Sequence, residues 1–168
     1  MLPVVLNQSA LAVGLCGAGE GLGRRQALLK DAGIVPLTIT ADASSEDLQA
    51  INVLFVAGLD RSTSKALAER ARACGVLVNV EDVPSLCDFY VPAIVRRGDL
   101  LVSVSTSGKA PGLAKLIREW LERRLGLDWD SHVETVSRAR ADWRANGFAP
   151  SEVSRRTRAL VAERELLP

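Results

Sequence analysis

Apolar and polar positions fall into blocks along the first half of the chain. Residues 2–6 (LPVVL) and 11–16 (LAVGLC) are short apolar runs and predict strands, with Asn7-Gln8-Ser9 turning between them. Helical spacing follows from about Leu22 to Asp31, and Gly33 is the stop signal. The run 34–40 (IVPLTIT) predicts the next strand, with Pro36 placing it at an edge or making it start late. Ala41–Leu48 is polar and reads as loop. Val53–Ala57 predicts a buried strand, and Ser62–Cys74 a helix with Asp60 or Ser62 as N-cap and Gly75 beyond its end. Strands follow at Val76–Val80 and Leu100–Ser105. Pro111 suits a first helical turn, and Leu113, Leu116, Ile117, Trp120 and Leu121 then form one stripe. The Arg- and Glu-rich tail predicts helices over about 130–144 and 151–165, broken by Gly147-Phe148-Ala149-Pro150.

Strands alternating with helices predict an α/β fold with a Rossmann-like parallel sheet and right-handed crossovers. The expected organisation is a Rossmann-like domain over 1–91, a small segment over 92–125 and a helical region over 126–168.

Composition narrows the function classes. The chain has 168 residues, 48% of them hydrophobic, enough for one compact domain and a small appendage. Its 21 basic and 20 acidic residues leave a net charge of +1, which gives no reason to expect nucleic acid or an anionic membrane as partner. No apolar run approaches the ~18 residues of a membrane span. The N-terminus MLPVVLNQ lacks the basic start and apolar core of a signal peptide. Cys16, Cys74 and Cys87 are odd in number and form no C-x-x-C pair, so reduced thiols in the cytoplasm are expected. With His132 as the only histidine, no metal site is expected, and His132 is expected to have no catalytic role. Trp120, Trp129 and Trp143 read as packing residues.

Gly17-Ala18-Gly19-Glu20-Gly21-Leu22-Gly23 is a glycine-rich bend between a strand and a helix. Gly17 would allow the tight turn, and Gly19 the approach of a phosphate to free backbone N–H groups. Leu22 holds the third small position, with Gly23 beside it. The same pattern also describes an ordinary tight turn. Asp42 lies where a carboxylate would bind ribose hydroxyls, or it is a solvated loop residue. No Arg is expected next to Asp42 to offset its charge, which favours NAD over NADP.

Asn79-Val80-Glu81-Asp82-Val83-Pro84 reads as a strand tip, where open α/β sheets bind ligands. Asp82 there could be a general base or a turn residue, and by spacing alone Glu81 could serve as well. Ser105-Thr106-Ser107-Gly108-Lys109 could hold carboxylates through hydroxyls, amides and the ammonium, or simply cap the helix at Pro111. Arg96 and Arg97 could add positive charge or lie in a solvated turn.

These segments together carry a resemblance. Gly17-x-Gly19, Asn79-Val80-x-Asp82-x-Pro84, Cys87-Asp88-Phe89, Pro92-Ala93-Ile94-Val95-Arg96-Arg97-Gly98 and Ser105-Thr106-Ser107-Gly108-Lys109-Ala110-Pro111 occur in one order. The set closely resembles the precorrin-2 dehydrogenase / sirohydrochlorin ferrochelatase family, the siroheme synthase N-terminal module. The resemblance implies NAD-dependent oxidation of precorrin-2 to sirohydrochlorin, with insertion of Fe²⁺ to make siroheme in some members. It implies a homodimer whose dimerisation segment is 92–125. It places the catalytic aspartate on Asp82. Cofactor contacts fall on Gly17, Gly19, Glu20, Gly21, Ala41, Asp42, Asp60 and Asn79. Substrate contacts fall on Ser105, Thr106, Ser107, Lys109 and Arg96. The stretch between Ile39 and Val53 is shorter than usual in that family, which predicts a shortened sheet lacking one helix and one strand. An alternative stays open: a member that binds the tetrapyrrole, as a chelatase or a regulator, without using NAD.

Overall fold

The computed structural model describes residues 2–167. The chain forms two compact units, Met1–Val91 and Pro92–Pro168. Unit 1 is built on four parallel strands in the order β2-β1-β3-β4: β1 (Val13–Gly17), β2 (Leu37–Thr38), β3 (Val53–Ala57) and β4 (Leu77–Val80). Gly17 pairs with Ala57, and Val56 with Val80, so the three long strands end at one edge.

Both faces of this sheet are covered, which is why its strands read as unbroken apolar runs. On one face Val13, Leu15, Val53 and Phe55 pack with Leu29 of helix α1 (Gly19–Asp31). On the other face Cys16, Leu54, Val56, Val78 and Val80 pack with Leu48 of α2 (Ser45–Gln49) and Leu67, Ala68 and Ala71 of α3 (Arg61–Ala73). Leu54, Val56, Leu67 and Val78 are wholly buried. Truncating a side chain such as Leu67 to Ala removes about 2–5 kcal/mol of stability. Asp60 is the N-cap of α3: its carboxylate accepts from Thr63 N (2.9 Å) and from the hydroxyls of Ser62 and Thr63.

Several expectations need correction. Residues 2–6 form no strand and stand exposed, and a single 3₁₀ turn covers Gln8–Ala10. A strand needs an edge to pair with. β1 is flanked on both sides, and the free edge beyond it, β2, is two residues long. β2 is short because Pro36 has no N–H to give the ladder. The polar stretch 41–48 is not all loop. Ser44 and Asp47 form a capping box that starts the five-residue helix α2.

Unit 2 opens with a hairpin that was only half expected. β5 (Ala93–Arg97) pairs antiparallel with β6 (Leu100–Val104) across Gly98-Asp99, with Gly98 at φ +54°. Three helices follow: α4 (Pro111–Arg124), α5 (Trp129–Ala145) and α6 (Pro150–Glu163). The apolar stripe of α4 is not buried as a whole. Ala114 is buried, whereas Leu113, Leu116 and Trp120 are 53%, 63% and 48% exposed.

Candidate functional site

The candidate site lies at the C-terminal edge of the parallel sheet, where β1, β3 and β4 deliver three tips. The first tip is the glycine bend. Ala18, extended and without a side-chain cap, precedes α1, and Gly19 has φ +62°. Ala18 N donates to Ala57 O (3.1 Å), so the bend lies against the end of β3. A Cβ on Gly17 would run into Ala57 O, and a Cβ on Gly58 (φ +68°) into Ala18 O. These two glycines let the two loops touch. Above Gly19 the space is open: nothing lies within 4 Å of where its Cβ would stand. That opening, at a helix N-terminus with unpaired N–H groups, fits a diphosphate.

The third small position differs from the sequence expectation. Gly21 makes the close approach, not Leu22 or Gly23. Gly21 is buried, and a Cβ there would press on Gly58 N, Ala57 and the Glu81 carboxylate. Leu22 turns sideways into the core with Leu15 and Phe55, and Gly23 faces open space. Glu20 is exposed on the first turn of α1, with Arg24 Nη1 at 3.7 Å.

Asp42 follows β2 at the same edge and is exposed. A hydrogen bond from the Thr40 hydroxyl, its own backbone N–H and the charge of Arg70 hold its carboxyl below the usual range, so it is ionised at neutral pH. The expectation that no arginine stands by Asp42 is corrected. Arg70 reaches across from α3 and donates to Ala41 O (2.5 Å) and Ala43 O (3.0 Å), clamping the turn that carries Asp42. Asp60, the α3 N-cap, has its carboxyl pushed far down by the Ser62 and Thr63 hydroxyls and the Thr63 amide.

The tip of β4 separates the two neighbouring carboxylates. Glu81 is turned toward α1, its side chain 13% exposed, and Arg24 forks onto both its oxygens at 3.3 Å. Asp82 is exposed, at φ +59°. Left-handed backbone is uncommon outside glycine and most tolerable for Asn and Asp. The tip is closed by the Cys87 thiol, which donates to Val80 O (3.1 Å) and accepts from Val80 N (3.3 Å). Beyond it, Asp88 accepts from Val78 N (2.9 Å) and from Arg72 Nε (2.9 Å). Asn79 is buried; its amide nitrogen donates to Phe89 O (2.9 Å), while its Oδ1 has no partner. An orphaned buried acceptor at this edge is a second feature that suits a polar ligand.

Unit 2 carries the hydroxyl loop between β6 and α4. Ser107 N donates to Ser105 Oγ (3.2 Å), and Ala110 N to Thr106 Oγ1 (3.2 Å). Ser107 and Gly108 are both left-handed, and Lys109 is exposed. Arg96 is not brought to this loop. It pairs with Leu101 near the hairpin turn, about 13 Å along the strand from Ser105. Arg97 caps the end of α4, donating to Leu125 O (2.8 Å) and Glu122 O (3.1 Å).

Sequence reasoning missed Arg24, Arg70 and Gly58. Gly58 had a visible signal, a glycine between a strand and an N-cap. The arginines had none, because their partners lie 57 and 29 residues away. Among the described residues no cluster of three His, Cys, Asp or Glu could hold a metal ion, and no helix is long and apolar enough to cross a membrane.

Two family models match the chain: "Putative NAD(P)-binding" over residues 23–93 and "Sirohaem biosynthesis protein central" over residues 97–124. The siroheme synthase of Methylococcus capsulatus is 34% identical over 163 residues, covering 85% of this chain and 34% of that protein. The siroheme synthase of Nitrosococcus oceani is 35% identical over 141 residues, covering 72% of this chain and 30% of that protein. The chain thus spans about a third of the length of these relatives. Among solved structures, "SirC, precorrin-2 dehydrogenase" superposes with a TM-score of 0.68 over 97% of this chain and 88% of that one, at 21% identity; that likeness shows the fold.

Proposed function

The chain belongs to the family of the siroheme synthase N-terminal module, and on that premise we propose that it oxidises precorrin-2 to sirohydrochlorin with NAD. The observation that carries the proposal is the sheet edge that holds both the open glycine bend and the β4 tip: Asp82 is exposed on that tip, while its neighbour Glu81 is tied up by arginine from α1.

Gly17 and Gly19 with the first turn of α1 would take the diphosphate, and Asp42 the ribose hydroxyls. The ionised Asp42 opposes a 2′-phosphate, and Arg70, engaged by the Ala41 and Ala43 carbonyls, offsets this only in part, so NAD is the form proposed. When bound, the nicotinamide supplies a hydride acceptor. The oxidation removes one hydride and one proton from the macrocycle, and Asp82 is the group at this edge that can take the proton. The substrate carries many carboxylates. The hydroxyls of Ser105, Thr106 and Ser107 and the ammonium of Lys109 are the polar groups of this loop suited to them, without Arg96, which lies about 13 Å along the hairpin. Fe²⁺ enters only as the substrate of a second step. The exposed Leu113, Leu116 and Trp120 on α4 support a homodimer through segment 92–125.

The test is turnover of precorrin-2 with NAD⁺, followed as NADH formation, with and without Fe²⁺. Asp82→Asn should lower kcat by about 10²-fold or more while leaving NAD affinity unchanged. Full turnover by that variant would remove Asp82 from the mechanism.

A further inference from the structure

Glu81 lies one residue past the end of β4, yet its N–H still donates to Val56 O (2.9 Å) and continues the ladder. Side chains alternate along a strand, so Glu81 shares the face of Asn79, the register partner of Phe55, and that face is covered by α1. Its carboxylate therefore arrives over the first turns of α1. Gly21 makes room for it, since a Cβ there would meet Oε2. Arg24 grips both oxygens, Nε to Oε1 and Nη2 to Oε2, each at 3.3 Å. Arg25 Nε stands 3.9 Å from Oε1, buried, with no hydrogen-bond partner and its guanidinium 5.7 Å from the centre of the Phe55 ring. One helix thus directs two cations at one largely desolvated carboxylate.

The residue that follows is Asp82. A left-handed aspartate persists only where its surroundings over-determine it. On its far side the tip is closed by Val83 N donating to Val80 O (3.3 Å) and by the Cys87 thiol. On its near side Glu81 is the tether. Arg24 is also close enough for its charge to interact with Asp82.

We propose that the Arg24–Glu81 pair is a strut that fixes Asp82 beside the first turn of α1, which makes Arg24 and Glu81 positioning residues for the reaction proposed above. The proposal rests on that reading of Asp82. Its physical content is mechanical. The helix that opens at the glycine bend and the strand tip that carries the base are joined by a two-point fork, so they move as one piece. An ordinary exposed ion pair would contribute little. Here Arg24 is 58% exposed, but Glu81 is only 13% exposed and is brought there by the ladder, so the pair is half-buried on the carboxylate side.

The experiment uses the full chain as wild type, Arg24→Met, Arg24→Lys, Glu81→Gln and Asp82→Asn. It measures kcat and KM for precorrin-2, NAD affinity by calorimetry and amide exchange over residues 80–87. Arg24→Met and Glu81→Gln should lower kcat about tenfold or more, as sub-ångström misplacement of a catalytic group does. NAD affinity should hold within about threefold, and the amides of Asp82 and Val83 should exchange faster. Arg24→Lys keeps the charge without the fork and should fall between wild type and Arg24→Met. Unchanged kcat and unchanged exchange in Arg24→Met would overturn the strut. So would a loss of NAD affinity in step with kcat, which would put the pair in the cofactor site instead. If the wild type oxidises no precorrin-2, the proposed reaction falls, and the exchange data alone decide whether the strut orders the tip.

Discussion

Two glycines in the bend, Gly17 and Gly19, are predicted to fail for different reasons when each is changed to alanine. Gly17 has an ordinary φ, so alanine is permitted by its backbone; the obstacle is its neighbour, because the new Cβ would run into Ala57 O. That contact is with backbone, and no rotamer change relieves it. Overpacking of this kind costs about 1–3 kcal/mol, and a backbone clash belongs at the upper end. For a chain of this size each kcal/mol lowers Tm by roughly 2–4 °C, so Gly17→Ala should lose about 5–10 °C. Gly19 has φ +62° but open space around it. Alanine there costs roughly 1–2 kcal/mol for the left-handed backbone. Restriction of the unfolded chain offsets about 0.4–1 kcal/mol of that. The net is about 1 kcal/mol, or roughly 2–4 °C. Its methyl group, however, would occupy the opening over the α1 N-terminus. Calorimetric unfolding and NAD titration on both variants make the assay. Gly19→Ala should keep most of its stability and lose NAD binding; Gly17→Ala should lose both. If Gly19→Ala binds NAD as the wild type does, the diphosphate does not sit over Gly19, and the assignment of the opening is wrong.

Other outcomes follow from the same geometry. Asp42→Asn removes the charge that opposes a 2′-phosphate, so the ratio of NADP to NAD dissociation constants should shrink by about tenfold; an unchanged ratio in calorimetry would clear Asp42 of that role. Leu116→Glu or Trp120→Glu should turn a dimer into a monomer in light scattering, and a wild type that is already monomeric would refute the proposed interface. The Asp60 carboxyl is lowered in the folded state, so its contribution to stability is present above the ordinary carboxyl range near pH 4 and is lost as pH falls below it. Denaturant titrations of Asp60→Asn from pH 7 to pH 3 should therefore show a shallower acid decline than the wild type, and parallel curves would remove Asp60 as a source of that decline.

Much of the site was legible because its signals are local. The strand runs at 11–16, 53–57 and 76–80 and the glycines after the first of them place the bend, and an acidic pair after Val80 places the tip. Asp60 was named as a cap candidate from its offset alone, and it is the cap. The misread elements share a different cause. LPVVL has strand-like residues but pairs with neither edge strand of the sheet, and Ala93–Arg97 became a strand only because Leu100–Val104 folds back on it. The five residues of α2 are held by one capping box in a stretch whose composition reads as loop.

By itself the sequence determined the long strands and helices of unit 1 and their parallel sheet, and with it the edge proposed for a ligand, since hydrophobic period and turn chemistry act over a few residues. It could not see that Glu81 is held by an arginine, nor find the third close-packed glycine, nor see that Asp42 has a guanidinium beside it. Tertiary structure decided each of these. Glu81 is occupied by an arginine 57 residues away, and the Asp42 turn by one 29 residues from Ala41. Gly21 lies against the backbone of Gly58 and the carboxylate of Glu81, both delivered by other strand tips. Such choices depend on which charges and surfaces the fold brings into contact. No spacing along the chain encodes that, because the partners meet only after the sheet has assembled.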